Sequence, residues 1–340
     1  MTWAEEECRV PMWCLARNKE LERERFGLMH PNLIDRVLRE YSRRELPAWG
    51  RLLSAFRVSG ARFDDRWQGA PTLTIRGKLH DYLMEVDLSN WSDRHAYFLE
   101  RYYDLATQRL LMAVLRPGDR AVDIGANNGM LSLVMARMVG PAGLVEAIEP
   151  NPVCAARIRR AVELNKLAQV RLHVCALGDA EGEATLRQTS AHTGTATLGP
   201  LSESERQRIH QEFTVRVATG DALLISDTRP VALIKVDVEG YECAALRGLK
   251  QTMQRDLPVI ITEVDARWLA RCRNKPADVE ALLREISYAP FAFNTPRVGL
   301  HRKLAIQRLE SLAADSNRDV LWLHERSKSG RLLTALVPAA

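Results

Sequence analysis

The six cysteines of this 340-residue chain form no CxxC pair, and none falls with histidine at a zinc-ligand spacing. That usage fits a reducing compartment, and a cytoplasmic protein is expected. No run of about 18 apolar residues occurs, so no membrane-spanning helix is predicted. The first residues, Met1-Thr2-Trp3-Ala4-Glu5-Glu6-Glu7, are acidic and lack the apolar core of a signal peptide. Basic runs with interleaved aromatics are missing too. The net charge of +5 is spread along the chain, and Arg157-Ile158-Arg159-Arg160 lies on a helical pattern as a solvated face. A nucleic-acid partner is therefore not expected.

What remains is an ordinary globular composition, 46% hydrophobic and 27% charged, and enough chain to bury a large core. Residues 1 to about 30 mix charges of both signs and read as an exposed helix or arm. Leu33, Ile34, Val37, Leu38 and Tyr41 share one helical face, and Trp49, Leu52, Leu53 and Phe56 suggest a second helix. Residues 1–70 are thus expected to be a helical extension, docking on the main domain, a partner enzyme or a second copy. Residues 71–330 form the main domain, and 331–340 a tail.

The organising stretch is Arg120-Ala121-Val122-Asp123-Ile124-Gly125-Ala126-Asn127-Asn128-Gly129. It reads as a buried strand, a tight glycine turn and the start of a helix, which together cradle a ligand at the end of a parallel sheet. A dinucleotide fingerprint needs a glycine where Asn127 stands, and Asp123 would repel a pyrophosphate. An acid there suits a cationic group such as the amino group of a methionine moiety. The pattern favours S-adenosylmethionine over a nicotinamide dinucleotide.

Further strands end in acids. Leu144–Ile148 is followed by Glu149, placed to accept a ribose hydroxyl pair. Val170–Leu177 ends in Gly178-Asp179, where an acid can accept from an adenine amino group. Val231–Val236 leads into Asp237-Val238-Glu239-Gly240-Tyr241-Glu242, a concentration of charge that reads as a substrate site. Val259–Val264 ends in Asp265. Strand and helix alternate from 120 to 265, which predicts an α/β fold with a parallel sheet and helices on both faces. Residues 180–220 read as a long insertion whose small polar segment 191–197 is a mobile loop. It holds His192, the histidine considered as a general base.

Taken in order, Val122–Gly129, Glu149-Pro150-Asn151, Ala176–Asp179, Ile234–Glu242 and Pro258–Glu263 resemble the FkbM-type family of S-adenosylmethionine-dependent methyltransferases. The resemblance covers about residues 80–325. It implies a Rossmann-like class I methyltransferase fold, with a seven-stranded sheet whose last strand is antiparallel, and O-methylation of a hydroxyl on a sugar, glycan, glycolipid or natural product. By position, Asp123, Gly125, Asn127 and Gly129 would hold the methionine part of the donor. Glu149 would bind its ribose, and Asp179 would lie by the adenine. Asp237 and Glu239 would face the acceptor. The segment 180–214 departs from the compact pattern of the family.

An alcohol is a weak nucleophile and profits from a base that takes its proton. Asp237, Glu239 and His192 are the candidates. A magnesium ion held by Asp237 with Glu263 or Asp265 is the less favoured route. Two other readings stay open: a non-catalytic module that keeps the cofactor fold, and a nicotinamide-dependent oxidoreductase.

Overall fold

The computed structural model describes residues 33–190, 192–299 and 301–334. The predicted arm at 1 to about 30, Cys8, Cys14 and the last six residues of the expected tail lie outside them. The chain divides into two compact units, one running to Leu73 with Val86–Leu99, the other comprising Thr74–Glu85 and everything from Glu100.

The first unit is mainly helical, with helices Leu33–Arg43, Trp49–Ala55 and Trp91–Leu99. Its centre is Arg94, which is fully buried. The guanidinium donates to the carbonyls of Val58, Leu88, Ser89 and Gly60 and pairs with Asp64 at 2.6 Å. Five donors in a rigid fork let one side chain satisfy several loop carbonyls at once. The predicted apolar face of the first helix is corrected here. Leu33, Ile34 and Val37 are more than half exposed, and the buried side instead follows Asp35, Leu38 and Ser42. The apolar residues do share one face, but the buried side is the adjacent one, and only Leu38, at the border, belongs to both.

The second unit is built on a sheet. Apart from the two-residue pair Arg297–Val298 and His301–Arg302, the strands in chain order are β1 Thr72–Arg76, β2 Leu83–Asp87, β3 Arg120–Ile124, β4 Leu144–Ile148, β5 Val170–His173, β6 Ala176–Leu177, β7 Gly182–Gln188, β8 Gln211–Ala218, β9 Val231–Val236, β10 Val259–Asp265, β11 Tyr288–Asn294, β12 Ala305–Arg308 and β13 Asn317–His324. The central sheet has the order β12-β11-β13-β10-β9-β3-β4-β5. Its strands from β5 to β10 are parallel, and β13 runs antiparallel between β10 and β11. The seven implied strands are present, and β12 adds an eighth at the edge. Val122, Ile124, Ile234, Val236 and Ile260 pack in one core with Leu246, Val279 and Leu283 of the helices Glu242–Arg247 and Pro276–Glu285.

Two readings of the middle of the chain change. The expected strand 170–177 breaks after His173, and its end becomes β6 of a separate sheet ordered β6-β8-β7. The expected insertion at 180–220 contains the β7–β8 hairpin. Leu186, Val215 and Val217 give that hairpin a small core with Ala176, which the surrounding polar residues hid in the sequence.

The sheet reverses its order at β3, whose neighbours are β9 and β4. Ligand crevices of open α/β sheets form at such a switch point, beyond the carboxyl ends of the strands. At the opposite end, Arg120 and Glu146 pair at 2.7 Å with both side chains fully buried. Arg120 also donates to the carbonyls of Leu224 and Asp227, and Glu146 meets His173 Nε2 at 2.8 Å. Removing Arg120 leaves the buried Glu146 only Arg171 and His173, so Arg120→Met is expected to cost about 3 kcal/mol in urea unfolding. A cost near zero would mean that the network relaxes without it.

Candidate active site

The turn after β3 and the turn after β9 are pressed together. Asp237 N–H donates to Ile124 O at 3.1 Å. Gly125 has φ +73°, and a Cβ added there would stand 1.8 Å from Asp237 O. Glycine is therefore required twice, for the left-handed conformation and for the close approach. Gly129, at φ +75°, opens the helix Met130–Val139. Asn127 and Glu239 also hold left-handed backbone, at φ 49° and 52°. Such conformations persist only where the surroundings enforce them, and they cluster at binding sites.

Asp123 is fully buried. Its Oδ2 accepts from Ser132 Oγ at 2.6 Å, whereas its Oδ1 accepts no hydrogen bond. The nearest cation to Oδ1 is Lys235 Nζ at 3.9 Å. Burial raises the Asp123 carboxyl above its ordinary value, and Lys235 and Ser132 offset this only in part. Glu149, beyond β4, is buried as well. It accepts the N–H of Asn127 at 2.7 Å and of Asn151 at 2.8 Å, one on each oxygen. Burial pushes it up to about 7 against these two bonds. Each oxygen keeps a further lone pair for a hydroxyl.

Asp123, Gly125, Gly129 and Glu149 are thus gathered around one turn. The Asn127 side chain is not free to join them, because its Oδ1 accepts from Thr193 Oγ1 at 2.9 Å and Cys154 Sγ at 3.3 Å. Asp179 stands apart beyond β6, about half exposed and 3.7 Å from Arg247.

On the other side, carboxylate oxygens of Asp237, Glu239 and Glu263 lie within 4.8 Å of one another. Burial, and then Asp237 and Glu242 nearby, push Glu239 up to about 9. Burial, Asp237 and Glu239 push Glu263 up to about 11. Asp265 is not part of this group. It caps the helix Ala266–Arg271 and pairs with Arg267 at 2.7 Å. Asp319 of β13 faces the cluster and is raised to about 7 by burial and by Asp104 and Asp237.

His192 sits in the segment that follows β7. This segment is a strap between the two turns: Thr193 bonds Asn127, and Thr197 Oγ1 donates to Glu239 O at 2.9 Å. Gln188 Oε1 accepts from Asn151 Nδ2 at 3.2 Å at its base. His192 lies over Gly194, on the Asn127 side, and is not among the three clustered carboxylates. The strap was not visible in the sequence, and neither was the role of Lys235. A lysine inside the apolar run Val231–Val236 was the available signal, since a buried lysine is rare without a partner.

The strand order and the glycine turn define a class I, Rossmann-like methyltransferase fold. Residues 123–290 match the family model of the methyltransferase FkbM domain. Methyltransferase 1 of Beauveria bassiana is 28% identical over 168 residues, 45% of this chain and 64% of that protein. The 31-O-demethyl-FK506 methyltransferase FkbM of Streptomyces tacrolimicus is 28% identical over 192 residues, 48% of this chain and 73% of that protein. A solved methyltransferase FkbM from Methylobacillus flagellatus aligns with a TM-score of 0.36 at 15% identity, over 70% of this chain and 54% of that one. The chain therefore spans less than two thirds of the first of these relatives and about half of the solved one. Among the described residues no helix is long and apolar enough to cross a membrane.

Two outcomes are expected. Gly125→Ala forces a side chain against Asp237 O and costs upward of about 3 kcal/mol in stability; a variant as stable as the parent in urea would show that the turns separate easily. Glu239 and Glu263 ionise near 4.5 when unfolded but at about 9 and about 11 when folded. The stability they contribute is complete below 4.5 and is lost as pH rises toward those values. In metal-free buffer, Glu263→Gln should therefore melt at least ~3 °C above the parent at pH 9 and level with it at pH 5. Equal melting at both values would place Glu263 in a solvated setting.

Proposed function

We propose that the protein is an S-adenosylmethionine-dependent O-methyltransferase acting on a hydroxyl of a sugar, glycan, glycolipid or natural product. The observation that carries this reading is Asp123 Oδ1, a buried carboxylate oxygen with no hydrogen-bond donor, beside a turn where no Cβ fits. The methionine ammonium of the donor is the group such an oxygen suits. When bound, the donor supplies a methyl already activated on a sulfonium. Asp123 and the turn at Gly125 would hold the methionine part, and Glu149 the ribose hydroxyls. The exposed Asp179 is the candidate for the adenine end.

The protein's remaining task is to align the acceptor oxygen with the methyl carbon and to take the hydroxyl proton. Asp237 is the base we favour. It stands at the switch point with its Oδ2 paired to Lys235 at 3.0 Å. Glu239, raised to about 9, keeps its own proton at neutral pH, and His192 belongs to the strap. The FK506 methyltransferase of Streptomyces tacrolimicus, named for a 31-O-methylation, supports a hydroxyl acceptor. The three-carboxylate cluster keeps magnesium as a second reading. Loss of activity in EDTA, restored by magnesium, would select it over unaided base catalysis.

Titration calorimetry with S-adenosylhomocysteine tests the donor site. The wild type should bind, Asp123→Ala should lose at least ~10-fold in affinity for want of a charged hydrogen-bond acceptor, and NADH should not bind. Binding of NADH would favour the oxidoreductase, and a folded wild type that binds neither ligand would end the methyltransferase reading.

A further inference from the structure

Tyr102 and Tyr103 stand just before the helix Leu105–Val114, whose cap is Asp104. Their rings are in contact, with centroids 4.3 Å apart and planes tilted by 43°. The short segment that carries them is held by two buried side chains, Arg101 and Gln108. Arg101 Nη1 donates to the carbonyls of Tyr102 and Tyr103 at 2.6 and 2.9 Å. Gln108 Nε2 donates to those of Tyr102 and Asp104 at 2.9 and 2.6 Å. Three consecutive carbonyls are thus fixed from inside, which sets the two rings in place before any ligand arrives.

The pair is tied to the acidic half of the site. In the first turn of the helix, Thr107 Oγ1 donates to Asp319 Oδ2 at 3.2 Å. Asp319 in turn stands opposite Glu263 in the antiparallel ladder of β10 and β13. Burial, above all, raises both phenols, and the charge of Asp237 adds to it at each, so Asp237 is their common neighbour. Tyr103 nevertheless keeps 40% of its surface exposed, and the Asp237 side chain 31%. An open ring lies next to an open carboxylate, on the side of the cleft away from the Asp123 cradle.

Resting on the methyltransferase reading above, we propose that Tyr103, backed by Tyr102, is the acceptor platform and that it takes the C–H face of a pyranose ring. The negative face of an aromatic ring attracts the weakly positive C–H bonds on one side of a saturated sugar. The hydroxyls on the sugar's rim then donate to the carboxylates of Asp237 and Asp319, which offer acceptors in several directions. Two rings packed on each other leave one flat face to a ligand, whereas a quaternary ammonium is taken by a cage of several rings. A long acyl chain would need an apolar wall, and this one is acidic. Stacking fixes the plane of the sugar and so the line from its oxygen to the methyl carbon, on which the transfer depends. Tyr102 is a positioning residue that supports the ring of Tyr103.

The probes are the methyl α-pyranosides of glucose, mannose and galactose, with choline as the cationic control. Each is titrated into the full chain saturated with S-adenosylhomocysteine, and saturation-transfer NMR reads which ligand protons touch the protein. At least one glycoside should bind, with transfer strongest to the C–H protons of one ring face. Tyr103→Ala should weaken that glycoside about tenfold, in line with the loss of one aromatic contact. Tyr103→Phe keeps the ring and should stay within about twofold, and Tyr102→Ala should fall between the two. All three variants should bind S-adenosylhomocysteine within about twofold of wild type, since the rings lie outside the donor cradle. The proposal is overturned if Tyr103→Ala binds the glycoside like wild type, or if it loses S-adenosylhomocysteine equally, which would put the ring on the donor. Binding of choline with no glycoside bound, or of no probe at all, also overturns it. Should Tyr103→Ala fail to fold, Tyr103→Leu, which keeps bulk without a ring, is expected to show the same loss, and wild-type affinity there would be equally fatal. A wild type that takes a glycoside but no S-adenosylhomocysteine would keep the platform and bring down the donor reading instead.

Discussion

The closest constraint in the molecule is the contact between two backbones, the turn at Gly125 and the carbonyl of Asp237, where a single methyl group would stand 1.8 Å from an oxygen. The turns belong to β3 and β9, neighbours at the point where the sheet order reverses. Because these strands are parallel, both turns leave the sheet on the same side and meet. Asp123, at the end of one strand, and Asp237, just beyond the end of the other, are thereby brought to one place. The Arg120–Glu146 network fastens the far ends of β3 and β4, so the position of the turns follows from strands anchored at both ends.

That geometry creates an electrostatic surplus. Asp123, Glu149, Asp237, Glu239, Glu263 and Asp319 converge at the carboxyl ends of the strands, and Lys235 is the cation buried among them. Burial without a matching cation drives Glu239, Glu263 and Asp319 toward their protonated forms. One unsatisfied carboxylate oxygen on the Asp123 side and a dense acidic group on the Asp237 side are different environments a few ångströms apart. A donor that carries an ammonium and an acceptor that must give up a proton need such a division. The strap, tied to Asn127 by Thr193 and to Glu239 by Thr197, spans both halves.

Much of this was legible in the sequence because strand ends carry a simple code. Short apolar runs followed by an acid, as at Val122-Asp123 and Ile148-Glu149, place charge at the carboxyl edge of a parallel sheet whatever the loops do. Three things were not legible. The first strand of the hairpin at 182–218 hid because small and polar residues mask its alternation, and the hairpin's core needs Ala176 from elsewhere in the chain. The buried face of Leu33–Arg43 was misread because its apolar residues outnumber the positions that find a packing partner. Lys235 was passed over because its meaning depends on register. Only the pairing of β3 with β9 sets it opposite Asp123.

The central claim, that Asp123 beside the glycine turn receives the donor's ammonium, is tested most directly by a crystal structure of the protein with S-adenosylhomocysteine. The account predicts the ligand's amino nitrogen in hydrogen-bond contact with Asp123 Oδ1, its ribose hydroxyls on Glu149, and Lys235 still paired with Asp237. A ligand bound away from the turn, or one whose ammonium is held by other residues while Asp123 Oδ1 stays without a donor, would contradict it.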